Sequence, residues 1–230
     1  MKIVITAGGT SEPIDNVRKI TNTSTGSLGL AIAKAFLSHY RDGIDRIFYL
    51  HGEKAAYPDD SLVTPITIGG TIDLMTKLEQ VLKSEKIDAV VHAMAVSDYM
   101  VDEVTTVEAI KTGVKSDKIS GNKISSSIDD LAIILKRTPK VISTIKPLSP
   151  GSTLVGFKLL SGVPHEELID VATHLMEKND CDFVLANDLS EIGQGQHKGY
   201  LIHKNGDIDT MNTKDEIGEM IARRIMEQEA

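Results

Sequence analysis

The chain opens with Lys2-Ile3-Val4-Ile5-Thr6-Ala7-Gly8-Gly9-Thr10, and this stretch decides the architecture. Lys2–Ala7 is apolar without strict alternation, the pattern of a strand covered on both faces, as in parallel sheets flanked by helices. The glycines that follow allow a sharp turn and let backbone N–H groups approach an anion. Working outward, similar short runs recur at Ile44–Leu50, Leu62–Thr67, Ile87–Ala93, Thr153–Leu159, Cys181–Ala186 and Tyr200–His203. Helical patterns fall between them, at Gly26–Tyr40, Thr71–Ser84, Leu131–Leu135, Lys140–Ile145, His165–Glu177 and Lys214–Gln228. In the first of these, Leu28, Ala31, Ile32, Ala35 and Phe36 recur at three- and four-residue steps and form one apolar stripe. Alternation of strand and helix predicts an α/β, Rossmann-like fold: a mostly parallel sheet with helices on both faces.

Composition agrees. Hydrophobic residues make up 41% and charged residues 25% of 230, close to the globular average, which excludes disordered and fibrous classes. Aromatics are 4% with no Trp, as in a core built from Val, Ile, Leu and Ala. Lys+Arg total 25 against Asp+Glu 33, a net charge of −8, which argues against non-specific nucleic-acid binding through phosphate neutralisation. One cysteine, Cys181, excludes an internal disulfide, and the seven histidines show no metal-ligand spacing. The chain begins at once with its first strand, has no signal-like segment and has no run of the roughly 20 apolar residues that span a bilayer. A cytoplasmic location is expected.

Two stretches break the rhythm. Gly8–Thr25 and Tyr99–Asp130 are long and polar, and loops of that kind are binding loops or lids. A single domain over 1–230 with a flap at about 100–128 is expected. Ser24-Thr25-Gly26-Ser27-Leu28-Gly29 opens the first helix, whose free N–H groups and positive dipole end favour phosphate or carboxylate. Together with Gly8, Gly9 and Thr10 it falls at the carboxyl end of the first βα unit, where open α/β sheets bind ligands. The dinucleotide fingerprint is a poor match, because Ser24 replaces its first glycine and the second strand ends without the expected acid.

Between the glycine motifs, Arg18 is either an anion partner or the ion-pair partner of Asp15, and Asn22 offers an amide that donates and accepts. Small residues at Ala93–Val96 allow a flat ligand to approach Ala95, and Asp98 is placed to accept from a ligand hydroxyl or amine, or to cap a helix. The flap carries Lys111, Lys115, Lys118 and Lys123, cations suited to a polyphosphate. Phe157 is a base-stacking or a core aromatic. Asn187-Asp188 either caps a loop or reaches a ligand, and Cys181 reads as a packed small hydrophobe.

Taken together, Thr6-Ala7-Gly8-Gly9-Thr10-x-Glu12-x-Ile14-Asp15-x-Val17-Arg18-x-Ile20-Thr21-Asn22-x-Ser24-x-Gly26-x-x-Gly29 resembles the opening of the phosphopantothenate–cysteine ligases. The likeness continues through Ala95–Tyr99, Lys123–Ser126, Thr138-Pro139-Lys140, Val155-Gly156-Phe157 and Ala186-Asn187-Asp188, covering almost the whole chain in order. The resemblance implies that 4′-phosphopantothenate and L-cysteine are joined with CTP through an acyl-cytidylate, giving the amide, CMP and pyrophosphate in coenzyme A biosynthesis. Mg2+ would be carried in by the triphosphate. Lys123 matches the flap lysine of nucleotidyl transfer, and Asn22 the asparagine that holds the acyl-nucleotide carbonyl. Asp98 matches a nucleotide-contacting aspartate, Phe157 a base-side aromatic, Thr138–Val141 a nucleotide-binding loop and Lys178 a phosphate-side lysine. The resemblance also implies a homodimer and, from the start at the first strand, a stand-alone bacterial form. Two other classes stay open: an NAD(P)-dependent reductase of the same fold and a non-catalytic nucleotide-binding module.

Overall fold

The computed structural model describes residues 1–113, 123–193 and 195–228. From the amino terminus, β1 (Lys2–Ala7) is followed by a small hairpin, β2 (Ser11–Pro13) and β3 (Lys19–Thr21), and by α1 (Ser27–His39). Next come β4 (Arg46–Gly52), β5 (Val63–Ile68), α2 (Thr71–Ser84) and β6 (Ala89–His92). A ribbon of β7 (Tyr99–Thr106) and β8 (Leu131–Arg137) encloses the short α3 (Val107–Thr112). The second half runs α4 (Ile145–Leu148), β9 (Thr153–Leu160), α5 (His165–Asn179) and β10 (Phe183–Asp188). It closes with β11 (Ile192–Gly193), β12 (Gln196–His197), β13 (Gly199–His203), β14 (Ile208–Met211) and α6 (Lys214–Gln228).

Among the described residues, eight strands form one sheet in the order β14-β13-β10-β9-β6-β1-β4-β5. All neighbours pair parallel except at one end, where β13 runs antiparallel to both β10 and β14. The expected α/β class therefore holds. β1 lies between β4 and β6, so the chain steps away from β1 in one direction and returns on its other side. The gap between the carboxyl ends of β1 and β6 is the topological switch point.

Side-chain alternation sorts the core into two layers. Ile3, Ile5 and Ala7 pack with Ile32 and Phe36 of α1 and with Ile217, Ile221 and Ile225 of α6. Val4 and Val90 face the opposite layer, with Leu74 and Leu78 of α2, Ile145 of α4, and Leu168 and Ala172 of α5. Each fully buried Ile, Leu or Phe contributes about 1.5–3 kcal/mol relative to an exposed one. Among the described residues, no helix is long and apolar enough to cross a membrane.

Four local expectations are corrected. Leu131–Leu135 is not a helix but most of β8, paired antiparallel with β7 from Thr106↔Leu131 to Tyr99↔Arg137. A five-residue apolar run has no periodicity of its own to separate helix from strand, and a partner more than twenty residues upstream decides. The polar stretch from Tyr99 thus begins as a strand and a helical turn capped by Thr106, whose hydroxyl accepts from Ala109 N–H at 3.1 Å. Lys140–Ile145 forms a 3-10 turn at Val141–Thr144 that leads into α4. Finally, Gly8–Thr25 contains the β2–β3 hairpin, and β14 adds an edge strand that the sequence pattern does not announce.

Candidate functional site

At the switch point the two strand ends are laced together. Ala93 N–H donates to Thr6 O at 3.1 Å, Ala95 N–H to Gly8 O at 2.8 Å and Thr10 N–H to Ala95 O at 3.1 Å. Asn22 reaches the same place from the end of β3, with Nδ2 donating to Ala95 O at 2.9 Å. Gly9 must be small here, because a Cβ would lie 2.8 Å from the Asn22 carbonyl oxygen. Thr10 is fully buried, and its hydroxyl accepts from Ser97 N–H at 2.9 Å. Gly8, Gly9, Thr10, Asn22 and Ala95 therefore form one connected floor.

The start of α1 adjoins that floor. Gly26 has φ +77°, the left-handed region, and a Cβ there would lie 2.9 Å from Gly8 N and 2.8 Å from Ala55 Cβ. Only glycine lets the chain turn there and bring the first N–H groups of α1 beside β1. Ser24 is exposed just outside this turn. Lys214, at the start of α6, donates from Nζ to Ser27 Oγ at 2.8 Å, adding a cation beside the positive end of the α1 dipole. Sequence reasoning assigned Lys214 no role, because 187 residues separate it from Ser27.

Along the next strands, Thr138 is joined to the floor through Ser97: its hydroxyl donates to Ser97 O at 2.5 Å, and its N–H to Asp98 O at 3.0 Å. Asp98 caps no helix, since β7 follows it directly. Its carboxylate pairs with Lys140, and both side chains are 67% exposed. So open a pair contributes about 0–1 kcal/mol, leaving both groups free to exchange partners with a ligand. Pro139 is exposed, whereas the Val141 side chain is core. Phe157 is half-buried against the layer that holds α1.

Asn187 is buried and donates from Nδ2 to Lys198 O at 2.6 Å. Asp188 caps a loop, accepting from Gly162 and Val163 N–H and from Ser190 N–H and hydroxyl, and these donors hold it far below the usual carboxylate range. Lys178 is not brought to the cluster within the chain. It lies exposed in the last turn of α5, and a crossover helix runs antiparallel to its strands, so that turn falls at the amino edge of the sheet.

The downstream stem of the flap attaches to the β2–β3 turn. Ile124 is buried; its N–H donates to Asp15 Oδ2 at 3.0 Å, and its carbonyl accepts from Arg18 Nη2 at 2.7 Å. Asp15 Oδ1 also accepts from Val17 and Arg18 N–H at 2.8 and 2.7 Å, and these backbone donors, Ile124 foremost, lower its pKa. Arg18 Nε is 3.6 Å from Asp15 Oδ2, so the ion pair weighed from sequence exists and extends onto the flap. Lys123 is exposed, with no hydrogen-bonding or ionic partner among the described residues, and Lys111 is exposed on α3. Lys115 and Lys118 lie outside the described residues.

Two further groups escaped sequence reasoning. Glu12, buried in β2, accepts from Thr71 N–H at 2.7 Å and Thr71 Oγ1 at 2.6 Å, tying the first loop to the start of α2. His92 ends β6, with Nδ1 3.0 Å from Thr6 Oγ1. That hydroxyl also accepts from Met94 N–H at 3.2 Å, so the threonine ties the imidazole to the segment that leaves β6. Complete burial pushes the imidazole pKa down to about 4. Cys181 is buried and its thiol is pushed up to about 12, as a packed hydrophobe requires.

These features define an α/β protein whose polar backbone groups converge on the carboxyl edge of a parallel sheet, the place where such folds take ligands. Residues 1–228 match the family described as DNA/pantothenate metabolism flavoprotein C-terminal domain, and the chain belongs to that family. It is 32% identical to the coenzyme A biosynthesis bifunctional protein CoaBC of Thermococcus kodakarensis over 89% of this chain and 45% of that protein. The chain thus spans about half the length of the curated relatives it matches. A crystal structure of the DNA/pantothenate metabolism flavoprotein from Streptococcus pneumoniae superposes with a TM-score of 0.87 at 35% identity, over 99% of both chains. A mutant of Cab2 in complex with phosphopantothenate-cysteine shares the fold at 19% identity, with a TM-score of 0.72 over 99% of this chain and 85% of that one.

Proposed function

We propose that this chain joins 4′-phosphopantothenate to L-cysteine with CTP, acting in the cytoplasm as the synthetase step of coenzyme A biosynthesis. The reading is carried by one observation: the asparagine, glycine turns and Asp98 segment that resemble the ligases converge through Ala95 and Thr10 on one sheet edge. Family membership and the CoaBC relatives support it.

In the first half-reaction a pantothenate carboxylate oxygen attacks the α-phosphorus of CTP, brought in with Mg2+, and pyrophosphate leaves. Negative charge rises at the α-phosphate, and a cation aimed there lowers the barrier; Lys123 takes that role. The N–H groups at the start of α1, with Lys214 beside them, suit an anionic group of either substrate. In the second half-reaction the cysteine amine attacks the acyl carbonyl, CMP departs with the bonding pair, and the amine proton is lost to solvent. Asn22, held by Ala95, orients that carbonyl. Gly8, Gly9, Thr10, Arg18, Ser24, Gly26, Ala95, Asp98, Thr138–Val141, Phe157 and Asn187 make up the surrounding binding surface in this reading.

The proposal includes a homodimer. Its support is the β7–β8 ribbon, which among the described residues pairs with no other strand and exposes Ile133 and Leu135 on one face and Ile134 on the other. An isolated two-stranded ribbon is marginal in water, and an open edge flanked by apolar side chains invites a second copy. Light scattering of the purified chain and of Ile134→Glu tests it: a parent of twice the monomer mass and a monomeric variant support it, and a monomeric parent contradicts it.

The catalytic reading is tested by incubating the protein with phosphopantothenate, cysteine and Mg2+, plus either CTP or ATP, and weighing the products. Phosphopantothenoylcysteine formed faster with CTP supports it. Amide formed only with ATP overturns the nucleotide assignment, and CTP binding without turnover favours a non-catalytic module. Quenching of NADPH fluorescence would favour the reductase.

A further inference from the structure

The Ile124 peptide is held from both sides by one turn. Asp15 takes its N–H, Arg18 takes its carbonyl, and the Ile124 side chain is buried. The Asp15 carboxylate is itself only 1% exposed and makes four contacts, three of them with backbone N–H groups. The turn belongs to the β2–β3 hairpin, and Asn22 directly follows β3. One hairpin therefore carries the Asn22 amide at its base and grips the residue next to Lys123 at its tip.

We infer that Asp15 is a positioning residue: by fixing Ile124 it places Lys123 for nucleotidyl transfer. The inference rests on the role given to Lys123 above. The chemistry of the contact favours it. A carboxylate accepting a backbone N–H is a charge-assisted bond, roughly twice as strong as a neutral one, and here it is shielded from water. Lys123 has no partner of its own among the described residues, so its position is inherited from its neighbour. Asp15 acts through Ile124 and touches no substrate.

Asp15→Asn separates this role from simple capping of the turn. The amide oxygen still accepts from Val17 and Arg18 N–H, but an NH2 group then faces the Ile124 N–H, donor against donor. The contact also covers the Lys123–Ile124 peptide bond, which is a trypsin site. The test is timed trypsin digestion of the full chain, with fragments ending at Lys123 followed by mass, alongside pyrophosphate release and amide formation. The expected result for Asp15→Asn is cleavage at Lys123–Ile124 about tenfold faster or more, the loss of one charge-assisted bond. The kcat for pyrophosphate release falls by a similar factor, KM for CTP changes little, and the ratio of amide to pyrophosphate stays as in the parent. A merely structural role would not give that split. Arg18→Met, which has no donor for the Ile124 carbonyl and so removes the second bond to Ile124, should also speed this cleavage, and it decides the matter if Asp15→Asn fails to fold. Cleavage at the parent rate in the folded variants overturns the inference, as does faster cleavage with undiminished pyrophosphate release. A parent that releases no pyrophosphate refutes the proposed function and with it the placement of Lys123, while the trypsin rates still decide whether Asp15 holds Ile124.

Discussion

The Asn22 side-chain amide donates to the Ala95 carbonyl at 2.9 Å, joining the end of β3 to the segment that leaves β6. The bond fixes which way the carboxamide faces: one hydrogen of Nδ2 is committed to Ala95, and the other is left for an acyl carbonyl. Replacing Asn22 with Asp keeps the shape but sets a carboxylate against the Ala95 carbonyl. Asn22→Asp is expected to retain pyrophosphate formation from CTP and phosphopantothenate while losing most amide product. Paired assays of the two products check it, and equal loss of both steps would argue against a role at the intermediate.

The turn into α1 makes a second prediction. Gly26→Ala places a Cβ 2.9 Å from Gly8 N in a backbone region that costs a non-glycine residue about 1–2 kcal/mol before any clash. Thermal unfolding should fall by several degrees, and nucleotide binding should weaken further, since relief of the clash moves α1 away from β1. An unchanged melting temperature with unchanged CTP binding would contradict the close packing of Gly26 on Gly8.

A third prediction concerns pH. His92 has a folded pKa of about 4, lowered from the ordinary 6.5 by burial. The unfolded chain therefore binds a proton between those values that the folded chain does not. The associated stability is fully present above pH 6.5 and is lost as pH falls toward 4, by at most roughly 3 kcal/mol. Urea unfolding at pH 7 and pH 5.5 should show a drop that is smaller in His92→Gln. The same drop in both proteins would place the titration elsewhere.

The parts of this molecule that were readable in its sequence are those whose cause is local. The buried run of β1, the stripe of α1 and the glycines at Gly8 and Gly26 each carry their own signal. The order of the motifs also led to the correct family. What escaped were features made by distant partners. Leu131–Arg137 became a strand because Tyr99–Thr106 pairs with it, and β7 itself, with Asp102 and Glu103, has no continuous apolar face to announce it. Lys214 and Ser27 are 187 residues apart, and Asp15 and Ile124 are 109 apart, so no spacing rule connects them.

The central claim is that this protein activates a pantothenate carboxylate by nucleotidyl transfer with Lys123 at the transferring phosphate. The most direct measurement is pyrophosphate release from CTP, with and without phosphopantothenate, by the parent chain and by Lys123→Gln. The account predicts release that depends on phosphopantothenate in the parent and is abolished in the variant, with the fold unchanged by circular dichroism. Near-normal release by Lys123→Gln would contradict it.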